Sequence, residues 1–137
     1  MKQVDYKTFA ESSPQGLYYH GTSTKFLPSI MKNGLLTPKD LARVTKRTDR
    51  TTEVNVNSVY LTTLNFIADH EARQICDDNG GEPVVLLVSY VGDLKEDPEY
   101  DWEANYLEAP SAFMTSESIP AKNVVFWAFS PGNTMFG

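Results

Sequence analysis

The chain has a single cysteine, Cys76, so no intrachain disulfide can staple it, and no Cys/His cluster has zinc-ligand spacing. Cys76 falls near the end of an expected helix, where a half-buried, unreactive thiol is the plain reading. The purely apolar runs Val84–Val88 and Val124–Phe129 are far too short to span a bilayer. Met1–Pro14 lacks the apolar core of a secretory signal, so a cytoplasmic location with no membrane partner is expected. Excess positive charge is missing as well. The formal net charge is −6, which argues against sequence-independent nucleic-acid binding, because that is built on cationic surface. A Gly-x-Gly-x-x-Gly turn and a steady strand–helix–strand alternation are both lacking, which argues against a dinucleotide-binding Rossmann domain.

What is present is an ordinary globular composition. The 137 residues are 41% hydrophobic and 22% charged, enough for one domain, residues 1–137, to bury a core unaided. Charge is unevenly placed. Lys39, Arg43, Lys46, Arg47 and Arg50 form a basic stretch, and seven acids between Asp93 and Glu108 face Lys95 alone. Each stretch suits a solvated surface. Flanking one site, the two would also suit an anionic ligand of dinucleotide size and an acid that reacts with it.

Leu17-Tyr18-Tyr19-His20-Gly21-Thr22 organises the rest. Its aromatic residues favour a strand, and Gly21 marks a turn or a close approach. His20 is therefore expected at a strand-to-loop junction, where working side chains are often displayed. The alternative is a core histidine bonded to backbone. Ser23 or Thr24 then caps a short helix over 24–33, with Phe26, Leu27, Ile30 and Met31 as its apolar stripe, and Asn33-Gly34 stops it. Residues 37–57 show weak periodicity. One or two helical turns over Asp40–Lys46 are possible there, with most of the segment a long loop of the kind that is usually functional or disordered.

Ser58–Thr63 alternates as a second strand. Leu64–Asp77 reads as a helix with Phe66, Ile67, Ala68, Ala72 and Ile75 on its buried side, the alanines allowing close packing, and His70 at the surface. Pro83–Val91 is a central strand, apolar on both faces. An acidic, aromatic-rich loop follows, then strands over Ala112–Thr115 and Val124–Phe129. The fold class is α+β, with two short helices supporting a mixed or antiparallel sheet.

The order His20-Gly21-Thr22, a short helix ending Asn33-Gly34-Leu35, then Val59-Tyr60-Leu61-Thr62 running into an alanine-containing helix resembles the ADP-ribosyltransferase superfamily. It is most similar to the small rifampicin ADP-ribosyltransferases, which share Tyr-His-Gly-Thr and an acidic Asp-Pro segment, here Glu96-Asp97-Pro98. The resemblance implies a split sheet and an enzyme that cleaves the nicotinamide–ribose bond of NAD, its substrate. The ADP-ribose would pass to an acceptor, a protein more readily than a nucleic acid. It also implies roles. His20 would bond the adenosine ribose, Gly21 and Thr22 would offer backbone groups to the nicotinamide amide, and Tyr60 would stack on the nicotinamide ring. Thr62 would line the same cleft, and Arg43, Lys46, Arg47 or Arg50 would reach the diphosphate or a target. Asp97 would complete the triad, stabilising positive charge at the ribose and accepting a proton from the nucleophile. Glu108 and Glu117 are its rivals.

A second resemblance, to RNA 2′-phosphotransferases, rests on His-Gly-Thr, Gly34-Leu35 and Met114-Thr115 with Ile119-Pro120. It implies the same fold and NAD handling with a different acceptor. The basic catalytic set of those enzymes has no evident match here. A non-catalytic binding or inhibitor module on the same fold is the third reading, since fold alone does not establish activity.

Overall fold

In the computed structural model, which describes residues 2–6, 16–45, 58–96 and 111–130, the chain begins with β1 (Lys2–Gln3) and β2 (Leu17–Ser23). A 3-10 turn (Thr24–Phe26) leads into α1 (Leu27–Asn33) and α2 (Pro38–Thr45). Then come β3 (Val59–Thr62), α3 (Asn65–Asn79), β4 (Pro83–Ser89), β5 (Lys95–Glu96), β6 (Ala112–Thr115) and β7 (Val124–Phe129). The strands make one seven-stranded sheet in the order β1-β7-β4-β2-β3-β6-β5. β1 pairs with β7 in parallel, and the other described pairs are antiparallel. This is a mixed-sheet α+β architecture.

β4 holds the centre because Val84–Val88 is apolar at every position. Val84, Leu86 and Val88 enter one buried cluster, while Val85 and Leu87 enter another on the opposite face. The first cluster also takes Leu27 and Ile30 from α1, Leu35, Ile119, and Val59 and Leu61 of β3. On the second face, Tyr19, Val85, Leu87 and Ala128 pack with Ala68 of α3. Packing on both faces is what an uninterrupted hydrophobic strand requires.

The sheet parts between β2 and β3. β4 accompanies β2 along its whole length, from Leu17↔Ser89 to Ser23↔Pro83, whereas β3 meets it in register at one pair, Tyr19↔Thr62. A flat continuation would set Thr115, opposite Val59, level with Val84, about 20 Å along the strand from Tyr90 at ~3.3 Å per residue. Yet the Tyr90 and Thr115 hydroxyls lie 2.9 Å apart, and Tyr18 meets Phe113 edge-on with centroids 6.1 Å apart. The β3–β6–β5 half has therefore swung over the face of β4 that carries Val84, Leu86 and Val88.

Several expectations need correction. His20 lies within β2, not at a strand end, because β2 continues through Gly21 to Ser23. The described residues hold three α-helices rather than two short ones. α2, offered by the sequence only as one or two turns over Asp40–Lys46, is the third, its start fixed by the Asp40 N–H donating to Thr37 Oγ1 at 3.3 Å and the Leu41 N–H donating to the Thr37 carbonyl. The Ser118 hydroxyl donates to Asp40 at 2.5 Å, tying that first turn to the chain beyond β6. Phe66 is 55% exposed rather than buried. β1 and β5, two residues each, are edge strands with no periodicity to read. Other expectations hold. Ser23 caps the 3-10 turn by accepting from the Lys25 N–H, Gly34 ends α1 at φ 84°, His70 is exposed and Cys76 is half-buried.

α3 carries one buried acid that its sequence pattern does not announce. Asp69, 8% exposed, accepts from the Tyr6 hydroxyl at 2.6 Å and from the Ser130 hydroxyl at 2.8 Å. Those bonds satisfy a carboxylate that would otherwise be costly to bury, and they tie the chain just past β1 and just past β7 to the same helix. Burial, and then the bond to Asp69, hold the Tyr6 phenol protonated well above its ordinary range. No helix among the described residues is long and apolar enough to cross a membrane.

Candidate functional site

Where β2 and β3 part, a small hollow with room for about one water molecule lies between the strands and the first half of α3. β2 contributes Tyr19, His20 and Gly21, and β3 contributes Tyr60, Leu61 and Thr62. α3 contributes Ile67, Ala68 and Glu71, and Ala112 of β6 closes the list. Strand alternation alone would separate His20 from Tyr60. His20 shares its face with Tyr18, while Tyr60 sits on the face of β3 opposite Val59 and Leu61. They border one space because the strands diverge beside them.

His20 Nδ1 lies 2.6 Å from the Tyr60 carbonyl oxygen. A carbonyl can only accept, so Nδ1 carries the proton. Among the described residues no buried side-chain nitrogen or oxygen lacks a partner, and no second bond to His20 is present among them, so Nε2 is not fully sealed from solvent. Half of the plain reading is thus correct: one ring nitrogen is bonded to backbone. The other is not.

Burial pushes the imidazole pKa below its ordinary 6.5, outweighing the opposing pull of the Tyr60 carbonyl. His20 is accordingly neutral at pH 7. As pH falls below about 6.5, the unfolded chain binds a proton at this position that the folded chain still refuses. Stability therefore declines with acid through that window and is fully retained above it. Melting of the wild type and of His20→Gln between pH 7.5 and 5.5 is expected to show the stability gap between them shrinking toward acid. A gap that stays constant would contradict a neutral, half-buried imidazole.

Gly21 is explained by packing. A Cβ there would stand 2.0 Å from the Ala68 carbonyl oxygen and 2.8 Å from the Ala72 nitrogen, so the close approach is made by the backbone of α3. Thr62 borders the hollow, but its hydroxyl is committed. It donates to the Ser111 carbonyl at 2.7 Å and accepts from the Leu64 N–H at 3.1 Å, fixing the turn from β3 into α3. Thr22 is 4% exposed and is not among the residues that line the hollow.

The acids divide. Glu117 stands beyond the far end of β6 from Ala112, where it accepts from the Tyr90 hydroxyl at 3.3 Å, and it does not reach the hollow. Asp97 and Glu108 lie outside the described residues, as do Lys46, Arg47, Arg50 and the side chain of Arg43, whose backbone belongs to α2. β5 ends with Glu96 paired to Phe113, the neighbour of Ala112. The acid that does border the hollow, Glu71, was missed. It follows Ile67 by four residues and precedes Ala72 by one, so the buried stripe of α3 held the signal. No group of three or more His, Cys, Asp or Glu among the described residues could hold a metal ion. No family model matches the chain, and no curated protein does.

Proposed function

We propose that this chain is an NAD-dependent mono-ADP-ribosyltransferase that transfers ADP-ribose to a protein or small-molecule acceptor. The observation that supports it best is that His20 and Tyr60, read from separate stretches of sequence, border one open hollow at the parting of β2 and β3. As it stands the hollow has room for about one water molecule, far less than the roughly 300–1,000 Å³ of a complete small-molecule pocket, so β2 and β3 must part further for a nicotinamide ring to enter.

When bound, NAD supplies a strained-charge glycosidic bond whose leaving group is neutral nicotinamide. His20 Nε2, left without a hydrogen by the Nδ1 bond, accepts a hydrogen bond from a hydroxyl of the adenosine ribose. Tyr60 presents an aromatic ring to the nicotinamide, a cationic heterocycle in the substrate. Past Tyr19, β3 offers β2 no further register partner, which leaves that edge of Gly21 for the amide, while Thr22 stands outside the hollow. Asp97 is assigned as the acid that stabilises charge at the ribose and takes the acceptor's proton, and Arg43 as a diphosphate contact.

Release of free nicotinamide from NAD tests this reading. The wild type should release it, Asp97→Ala should lose at least about a hundredfold in rate, and Glu117→Ala should retain it. An inert wild type at millimolar NAD would remove the enzymatic reading and leave the binding-module alternative.

A further inference from the structure

The alternation of the strands shows which rung of the sheet is lost where β2 and β3 part. The Thr24 N–H donates to the Glu82 carbonyl at 2.9 Å and the Tyr90 N–H to the Gly16 carbonyl at 3.3 Å, at the two ends of the unbroken β2–β4 register. Backbone groups of successive strand residues point to alternate sides. Tyr18, His20 and Thr22 therefore turn theirs to β4, and Tyr19 and Gly21 turn theirs to β3. The Thr63 N–H donating to the Ser111 carbonyl at 2.9 Å sets the same alternation in β3. Val59 and Leu61 bond toward β6, and Tyr60 and Thr62 turn toward β2. Tyr19↔Thr62 is the register pair that forms, and Gly21 opposite Tyr60 is the next that the ladder would make. It is not made, because the Tyr60 carbonyl takes its hydrogen from His20 Nδ1 at 2.6 Å instead.

The loss falls on Gly21. It is buried, and among the described residues no other backbone bond replaces the rung. Buried backbone N–H and C=O groups are almost always paired, with water where protein does not serve. We infer that one water molecule is bound here, accepting from the Gly21 N–H and donating to the Gly21 carbonyl. In an extended strand these two groups point the same way, so one water meets both. Gly21 borders the hollow, and room for about one water molecule is what the hollow provides. His20 thus acts as a wedge, its imidazole replacing a backbone donor and leaving the rung to solvent. The inference goes beyond the NAD reading and does not depend on it. A carboxamide carries the same donor and acceptor, so any ligand amide that binds at this edge must displace the water.

Water–amide NOE and ROE spectra of the whole nitrogen-15-labelled chain test this. A water that stays bound while the protein tumbles gives cross-peaks of opposite sign in the two spectra. Such a pair is expected at the Gly21 amide and absent at His20 and Thr22, whose N–H groups face β4. Ala112→Val adds methyl groups at the wall of the hollow and should abolish the Gly21 pair. A wild-type Gly21 amide without a water cross-peak overturns the inference, and so does an undiminished pair in a folded Ala112→Val. If that variant does not fold, the wild-type spectra decide alone.

Discussion

Replacing His20 with alanine is expected to slow nicotinamide release from NAD by on the order of a hundredfold or more, the scale on which mispositioning a reacting group costs rate. Two effects combine. The Nε2 lone pair is lost, and so is the Nδ1–H bond to the Tyr60 carbonyl at 2.6 Å, which joins the two strands just where their ladder stops. His20→Asn separates them, since a short amide can still donate toward that carbonyl without offering a ring nitrogen to the hollow. It should preserve most of the melting temperature and still lack activity. Tyr60→Ala should show a comparable loss, with Tyr60→Phe recovering most of the rate because the ring face, not the hydroxyl, is assigned the work. A His20→Ala protein that releases nicotinamide at the wild-type rate would detach the imidazole from the chemistry.

The largest stability effect is expected at Gly21. In Gly21→Ala the new methyl would meet the Ala68 carbonyl oxygen at 2.0 Å, and backbone cannot rotate aside as a side chain can. α3 must move off β2 as a unit, at a cost of about 3 kcal/mol, or roughly 10 °C in melting temperature for a chain of this size. Trimming Ala68 to glycine gives no relief, because the obstructing atom is its carbonyl oxygen. Gly80→Ala is the informative contrast. Gly80 has open space around its Cβ but φ of 89°, so it should cost only about 1 kcal/mol of backbone strain. Melting curves of the two variants separate close approach from conformation as the reason for a glycine.

These two positions also show how much of the molecule its sequence discloses. The apolar run of β4, the Asn33-Gly34 stop after α1 and the small residues Ala68 and Ala72 were legible because each follows from a local rule of burial, capping or packing. Gly21 was legible as a constraint but not in kind. The same residue signals a turn or a close neighbour, and here the neighbour is a helix that arrives more than forty residues later. His20 was accordingly expected at a strand end when it lies inside one. The α2 helix was legible only as one or two turns, because its pattern is weak and its first turn depends on Ser118, some eighty residues away. Asp69 was hidden because a polar residue on a helix reads as solvent-facing unless its partners are known, whereas the position of Glu71 could have been read from its place beside the buried stripe of α3. Tyr6 and Ser130, the partners of Asp69, come from opposite ends of the chain. The hollow itself depends on β3 meeting β2 at one residue pair and then swinging away, a tertiary event that no period in the sequence records.

The central claim is that the bare nitrogen of His20 faces a space that receives the nicotinamide end of NAD. The chain has two histidines, so imidazole-labelled protein gives two ring systems, assigned by the loss of one in His20→Gln. Nitrogen-15 NMR of those rings, recorded with and without saturating NAD, tests the claim at the atom concerned. The Nε2 resonance of His20 should move on addition of NAD while Nδ1, held by the Tyr60 carbonyl, changes far less and the exposed His70 stays in place. An unmoved Nε2 at millimolar NAD would contradict it.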